Sequence, residues 1–207
     1  MKTKTINIYE FKELSDQAKE NVIAWYRSHL DEIDYNFNEI IDTLEKFCGL
    51  FDIKLKNFTL GNYTDIICNY NCDDIEVKGL RLRTWLINNF YSDLYKPKFL
   101  CITNGHYGAI GIGSKTKYSK VFIDNNCVLT GCCYDYDILD PIYNFIEKFD
   151  IKKDRYTTLE DLLSDCVRNY ENIIEKHVEY IESDEYITEN ILVNEYTFNE
   201  SGEREDI

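Results

Sequence analysis

Ile40-Ile41-Asp42-Thr43-Leu44-Glu45-Lys46-Phe47-Cys48-Gly49-Leu50-Phe51-Asp52-Ile53-Lys54-Leu55-Lys56 changes its hydrophobic period part-way along. As far as Phe47 the apolar residues Ile40, Ile41, Leu44 and Phe47 recur at helical spacing, which predicts a helix over about 35–48 with Gly49 as its C-cap. From Phe51 onward the side chains alternate, with Phe51, Ile53 and Leu55 apolar and Asp52, Lys54 and Lys56 charged, as a half-buried strand requires. A helix that feeds directly into a strand, with Tyr63–Tyr70 as a plausible partner strand, points to an α+β fold.

The rest of the chain fits that frame. A strand at 4–9 leads to Ser15, an N-cap for a helix over about 16–30 through Ala18, Val22, Trp25 and His29. Leu82, Trp85, Leu86 and Phe90 predict a helix over 80–92. Strands near 98–103, 107–112, 118–123 and 127–130 follow, punctuated by Asn104-Gly105 and Asn125-Asn126. The expectation is therefore an antiparallel β-meander flanked by helices. Asp140-Pro141 marks a further helix start, and Thr157 with Glu160 has capping-box spacing. Beyond it, apolar residues at 159, 162/163, 166/167, 170, 173/174, 177/178 and 181 predict a long C-terminal acidic amphipathic helix of about 37 Å. Ser183 caps a shorter acidic helix, Asn194–Phe198 reads as a strand, and the tail from Ser201 reads as frayed. With two prolines and no Ser/Gly-rich stretch, 1–207 reads as one domain whose 154–200 portion is acidic and helical.

Charge is the second signal. Residues 154–207 hold sixteen Asp/Glu against four Lys/Arg, a net −12 of the chain's −15. A field of one sign on one part of a fold attracts basic surfaces and repels nucleic acid. On the predicted long helix, Asp161, Asp165, Glu175 and Glu179 fall opposite the apolar stripe and are the candidate partner-binding residues. Carboxylates four residues apart on a helix are about 6 Å apart along its axis, on the scale of phosphates along a nucleic-acid strand. No apolar run is long enough to span a membrane, and the N-terminal lysines precede no apolar stretch, so the reading is a cytoplasmic protein with no membrane partner.

No constellation reaches the pattern of an active site. Gly108 to Gly113 has P-loop spacing, but Ser114 and Lys115 are transposed, which leaves Gly105, Gly108, Lys115 and Lys117 as an alternative anion-binding stretch. The eight cysteines lack Cys-x-x-Cys spacing and read as buried thiols. Asp135, Asp137 and Asp140 cluster in sequence, but a divalent metal needs oxygens from other segments too. The three histidines are scattered; His106 with Asp135 and Asp137 forms the least unlikely catalytic set, and His177 lies on the apolar stripe. The expectation is a non-enzymatic protein without cofactor or resident metal.

Three blocks resemble a known group of proteins. They are Tyr9-Glu10-Phe11…Glu13-Leu14-Ser15…Ala18-Lys19…Trp25-Tyr26-Arg27, then Leu129-Thr130-Gly131-Cys132-Cys133-Tyr134-Asp135…Leu139…Pro141-Ile142, then Glu179–Glu185…Ile187…Asn194–Phe198. Together they resemble a family of small acidic phage and prophage proteins, mostly uncharacterised and sometimes labelled antitoxin-like. Residues 61–79 depart from the polar, glycine-rich hairpin expected there. The resemblance implies a phage setting and carries no catalytic residues. With the charge, it leads to an expected inhibitor of a host defence system, anti-CRISPR-like, that presents acid to a basic nucleic-acid-binding effector. An antitoxin or other protein-binding module, drawing on the seventeen tyrosines, and a nucleotide-signal sponge are the alternatives.

Overall fold

The computed structural model describes residues 7–30, 34–72, 75–95, 100–101, 109–110 and 127–205. In chain order the elements are β1 (Tyr9–Glu10), a 3₁₀ turn (Phe11–Glu13), α1 (Asp16–Arg27), α2 (Phe37–Leu50), β2 (Ile53–Thr59), β3 (Asp65–Tyr70), α3 (Leu80–Tyr95), β4 (Leu100–Cys101), β5 (Ala109–Ile110), α4 (Tyr134–Glu147), α5 (Leu159–Ile181), α6 (Asp184–Val193) and β6 (Thr197–Phe198). The fold is mixed helix and sheet. Its strands form antiparallel pairs, β1 with β6, β2 with β3 and β4 with β5. Of the expected meander over 98–130, the described residues show only the β4–β5 pair, and 118–123 lies outside them. Residues 127–130 are not a strand but the approach to α4.

The chain groups into two compact units, Met1–Asn36 with Lys176–Ile207, and Phe37–Glu175, so the boundary falls inside α5 and divides the acidic quarter. In the first unit Phe11, Leu14, Ala18, Val22, Ile187, Ile191 and Phe198 form the core, flanked by Tyr9, Tyr26, Tyr186 and Tyr196. Ser15 caps α1 by accepting the Ala18 amide at 3.3 Å, and Ser183 caps α6 by accepting that of Tyr186 at 3.2 Å. The tail beyond Ser201 is docked rather than frayed. Gly202 is buried at φ +87°, where a Cβ would stand 2.5 Å from the Ala18 carbonyl oxygen, and the Glu205 amide donates to the Thr197 carbonyl at 3.0 Å.

In the second unit α2 packs on the β2–β3 hairpin, whose register shifts at a bulge between Leu55 and Asn57. The helix runs through Gly49 to Leu50, so Gly49 is not a C-cap. Burial explains the difference: the Phe51 amide still bonds the Phe47 carbonyl, and the two rings meet at 5.3 Å, drawing the helix past the glycine. The left-handed position falls instead at Asp52, φ 52°. Leu159, Leu162, Leu163, Cys166, Val167, Tyr170 and Ile174 of α5 are buried, and the Tyr170 hydroxyl donates to the Ile40 carbonyl at 3.1 Å.

Candidate functional site

The loop 129–135 is the most heavily bonded polar feature among the described residues. Asp135 is fully buried. Its Oδ2 accepts the backbone amides of Leu129, Thr130 and Gly131 at 2.8, 2.8 and 3.0 Å, and its Oδ1 accepts the hydroxyls of Thr130 at 2.6 Å and Thr43 at 3.3 Å. Five donors on one carboxylate offset the cost of burying its charge and place it in the first turn of α4, where the helix dipole favours an anion. This corrects the expected helix start: α4 begins at Tyr134, and Pro141 lies inside it. Proline has no N–H to give the carbonyl four residues back, which is that of Asp137, and Asn169 of α5 takes that carbonyl instead at 2.9 Å. Chemically, Asp135 has its lone pairs occupied and no exposed atom, so it acts as a staple and not as an acid, base or ligand.

Asp140 accepts the Asn144 amide at 2.7 Å. Burial first, then the Asp140 charge, pushes the Asp137 carboxyl above the usual aspartate range. His106 and the stretch with Gly105, Gly108, Lys115 and Lys117 lie outside the described residues. No group of three His, Cys, Asp or Glu among the described residues is disposed to hold a metal ion. Cys48 and Cys166 are buried as expected, but Cys68, Cys72, Cys127 and Cys132 are half-buried and Cys133 is exposed. The Cys48 and Cys68 thiols are hydrogen-bonded; that bond, together with burial, raises the Cys48 value, and the same bond, against the effect of burial, lowers that of Cys68.

The four proposed partner-binding carboxylates on α5 have three different environments. Asp161 closes a reciprocal capping box: it accepts the Thr158 amide at 3.0 Å and hydroxyl at 2.7 Å, while its own amide donates to the Thr158 hydroxyl at 3.1 Å. The box is thus one residue later than the Thr157–Glu160 pairing the sequence suggests, and those bonds hold the Asp161 carboxyl below its ordinary value. Glu175 accepts the Thr64 amide at 3.0 Å, and Glu171, one turn earlier, accepts the Ile66 amide at 2.7 Å. These two glutamates satisfy outward amides of β3 and its approach, a role no spacing rule in the sequence could reveal. Asp165 pairs with Arg168 at 3.1 Å, both well exposed, and Glu179 is exposed.

Many other carboxylates of this quarter are exposed in both units. Glu160, Asp165 and Glu179 of α5, Asp184, Glu185 and Glu189 of α6, and Glu195, Glu200 and Glu203 after it are all exposed. Of the four basic residues in this quarter, Arg168 is paired with Asp165, and the Arg204 guanidinium lies 4.6 Å from the Tyr196 ring centre. No helix of the described residues is long and apolar enough to cross a membrane. Comparison with protein-family models, with curated proteins and with solved structures returned no match.

Proposed function

We propose that this protein is a non-enzymatic binding protein whose acidic C-terminal quarter docks on the basic, nucleic-acid-binding surface of a partner. The observation that carries the reading is the run of exposed carboxylates on α5 and α6 with so few bases to balance it. Charge this one-sided raises association rates with a basic protein and is screened by salt. The resemblance to small acidic phage proteins makes a host defence effector, such as a CRISPR nuclease, the partner in this reading, and the host cytoplasm its place of action. Asp165 and Glu179 are the contact residues of the original four. Asp161 and Glu175 contribute charge while holding the fold together.

The test is capture from bacterial lysate on immobilised protein, with mass spectrometry of what elutes as salt is raised. A variant with Glu160, Asp165, Glu179, Glu185 and Glu189 all changed to Lys spares the capping box and the β3 contacts. The reading expects nucleic-acid-binding proteins, released by salt and absent from the variant column. Retention that ignores both salt and the five reversals would overturn it.

A second reading, a protein-binding module of antitoxin type that uses aromatic surface, draws on Tyr63, Tyr91, Tyr156 and Tyr180, which are 74, 52, 72 and 48% exposed. It expects retention that barely responds to salt. A nucleotide sponge would use Gly105, Gly108, Lys115 and Lys117. It expects a thermal shift of roughly RT ln(1 + [L]/Kd) with its nucleotide, and no shift with any nucleotide excludes it.

A further inference from the structure

Lys148-Phe149-Asp150-Ile151-Lys152-Lys153-Asp154-Arg155-Tyr156, between α4 and α5, holds four bases and two acids in a chain of net charge −15. The turn sorts them by sign. Asp154 Oδ2 accepts the Asp150 amide at 2.7 Å and Asp150 Oδ1 accepts the Lys152 amide at 2.9 Å, so both carboxylates are occupied by the turn's own backbone and are half-buried. Lys152, Lys153 and Arg155 are left exposed, beside an Ile151 that is itself 63% exposed. The start of α3 is clamped to the same turn: the Gly79 amide donates to the Thr157 carbonyl at 3.0 Å, and Gly79, at φ +57°, lies so close on Arg155 that a Cβ would collide with its carbonyl oxygen. That clamp sets exposed Leu80 and Arg81 next to the turn. The ion pairs among the described residues are Arg27–Asp184 and Arg168–Asp165, and Arg81, Lys152, Lys153 and Arg155 enter neither. The Arg155 guanidinium lies 5.3 Å from the Tyr156 ring centre, a contact that leaves its charge unneutralised.

The chain also carries the complement of this base-and-aliphatic patch. α6 buries Ile187 and Ile191. Its other face presents Glu185, Glu189, Leu192 and Val193, which at i, i+4, i+7 and i+8 share one stripe and are all exposed, Val193 at 79%. Two carboxylates one turn apart, leading into two aliphatic side chains, match in both charge and apolarity what the 150–156 turn offers.

We infer that this protein associates with a second copy of itself head-to-tail, the outer face of α6 of one copy seated on the Lys152–Arg155 turn and the start of α3 of its neighbour. Glu185 and Glu189 meet the cations, and Leu192 and Val193 cover Ile151 and Leu80. The two faces differ, so the contact is heterologous and a third copy can add to the second. Copies of one net sign repel at long range, but at physiological ionic strength the field decays over about 8 Å, and the opposite charges at the contact decide the outcome. Such association needs no other protein; a basic partner and a second copy compete for Glu185 and Glu189.

Sedimentation velocity of the full chain over a concentration series tests this, at physiological ionic strength and again in about 1 M salt, where the field decays over about 3 Å. The weight-average mass should rise with concentration at physiological ionic strength and stay near that of the monomer in high salt. Lys152→Glu with Lys153→Glu and Arg155→Glu should hold the chain monomeric, and so should Glu185→Lys with Glu189→Lys. Mixed in equal amounts, the two reversed variants should associate again, because each now presents the sign that the other lacks. Val193→Ser, which alters no charge, should weaken the unmodified chain's association several-fold. Every change is at an exposed side chain, and circular dichroism with the thermal midpoint confirms folding; should a reversal unfold, Lys152→Gln with Lys153→Gln, or Glu185→Gln with Glu189→Gln, takes its place and should weaken association several-fold. A monomer at every concentration, association that high salt or either reversal leaves intact, or reversed variants that stay apart when mixed would each overturn the head-to-tail contact, whatever the lysate capture returns.

Discussion

The loop 129–135 and the outer face of α5 both carry carboxylates, yet they use them in opposite ways. At the loop, one aspartate is wholly enclosed and accepts three amides and two hydroxyls. On α5 and α6 most carboxylates, Glu160, Asp165, Glu179, Glu185 and Glu189 among them, stand in solvent, and the partner of Asp165 is the exposed Arg168. A buried carboxylate is tolerable only when donors converge on it, so its removal is costly to the fold. An exposed one contributes little to stability and leaves its field available to a partner. Acidic residues in this chain therefore divide into those that hold the fold and those that address the surroundings, and the division cuts across the single cluster the composition suggests.

The largest effect that could break the comparison is at Asp135. Asp135→Ala leaves three amides and two hydroxyls without their acceptor and should lower the unfolding free energy by about 3–5 kcal/mol. Asp135→Asn keeps one acceptor oxygen and should lose less. Urea denaturation measures both, and a loss under about 1 kcal/mol for Asp135→Ala would mean that the loop finds other partners.

Glycines give a pair of opposite sign. Gly202→Ala forces a Cβ against the Ala18 carbonyl at positive φ and should cost about 2 kcal/mol, because the docked tail must yield. Gly49→Ala, within α2 and with nothing within 4 Å of its Cβ, should stabilise by about 0.5–1 kcal/mol. Thermal unfolding of the two variants should shift in opposite directions. Next comes the capping box: Thr158→Ala should cost about 1 kcal/mol, and Thr157→Ala clearly less.

The smallest effects concern pH. Burial raises the folded-state value of the Glu171 carboxyl above its unfolded 4.5, so its contribution to stability is present at acid pH and lost as pH rises through the folded value. Hydrogen bonds from Thr158 lower that of Asp161 below 3.8, so its contribution is present above that value and lost as pH falls. Glu171→Gln, which keeps an acceptor for the Ile66 amide, should therefore leave neutral-pH stability equal or higher. Asp161→Asn should weaken it and flatten the acid limb. Denaturant midpoints between pH 3 and 7 decide both signs.

Much of the local architecture is legible in the sequence because it is written in short-range chemistry. Ser15 and Ser183 cap the helices their spacing implies, and the alternation at Phe51–Lys56 becomes β2 with its partner β3. What escapes is set by distant partners. Pro141 reads as a helix start because proline favours the first turn, but Asn169, far along the chain, takes the carbonyl that the proline leaves unserved. Gly49 reads as a stop, but the burial of Phe51 carries the helix past it. Ser201-Gly202 reads as fraying, but Gly202 is there because only a residue without Cβ can lie on Ala18. Of the proposed site, the outward direction of Asp165 and Glu179 follows from helical period alone. That Glu175 would answer the Thr64 amide depends on how α5 lies beside β3, which periodicity does not encode.

The most direct measurement of the central claim is displacement. A labelled DNA duplex is bound to a nucleic-acid-binding protein retained from lysate, and this protein is titrated in while the fluorescence anisotropy of the duplex is followed. The account expects the anisotropy to fall to that of free DNA, at a midpoint that rises steeply with salt, and the variant with Glu160, Asp165, Glu179, Glu185 and Glu189 changed to Lys to leave the duplex bound. A ternary complex that keeps its DNA, or displacement by the reversed-charge variant at the same midpoint, would contradict it.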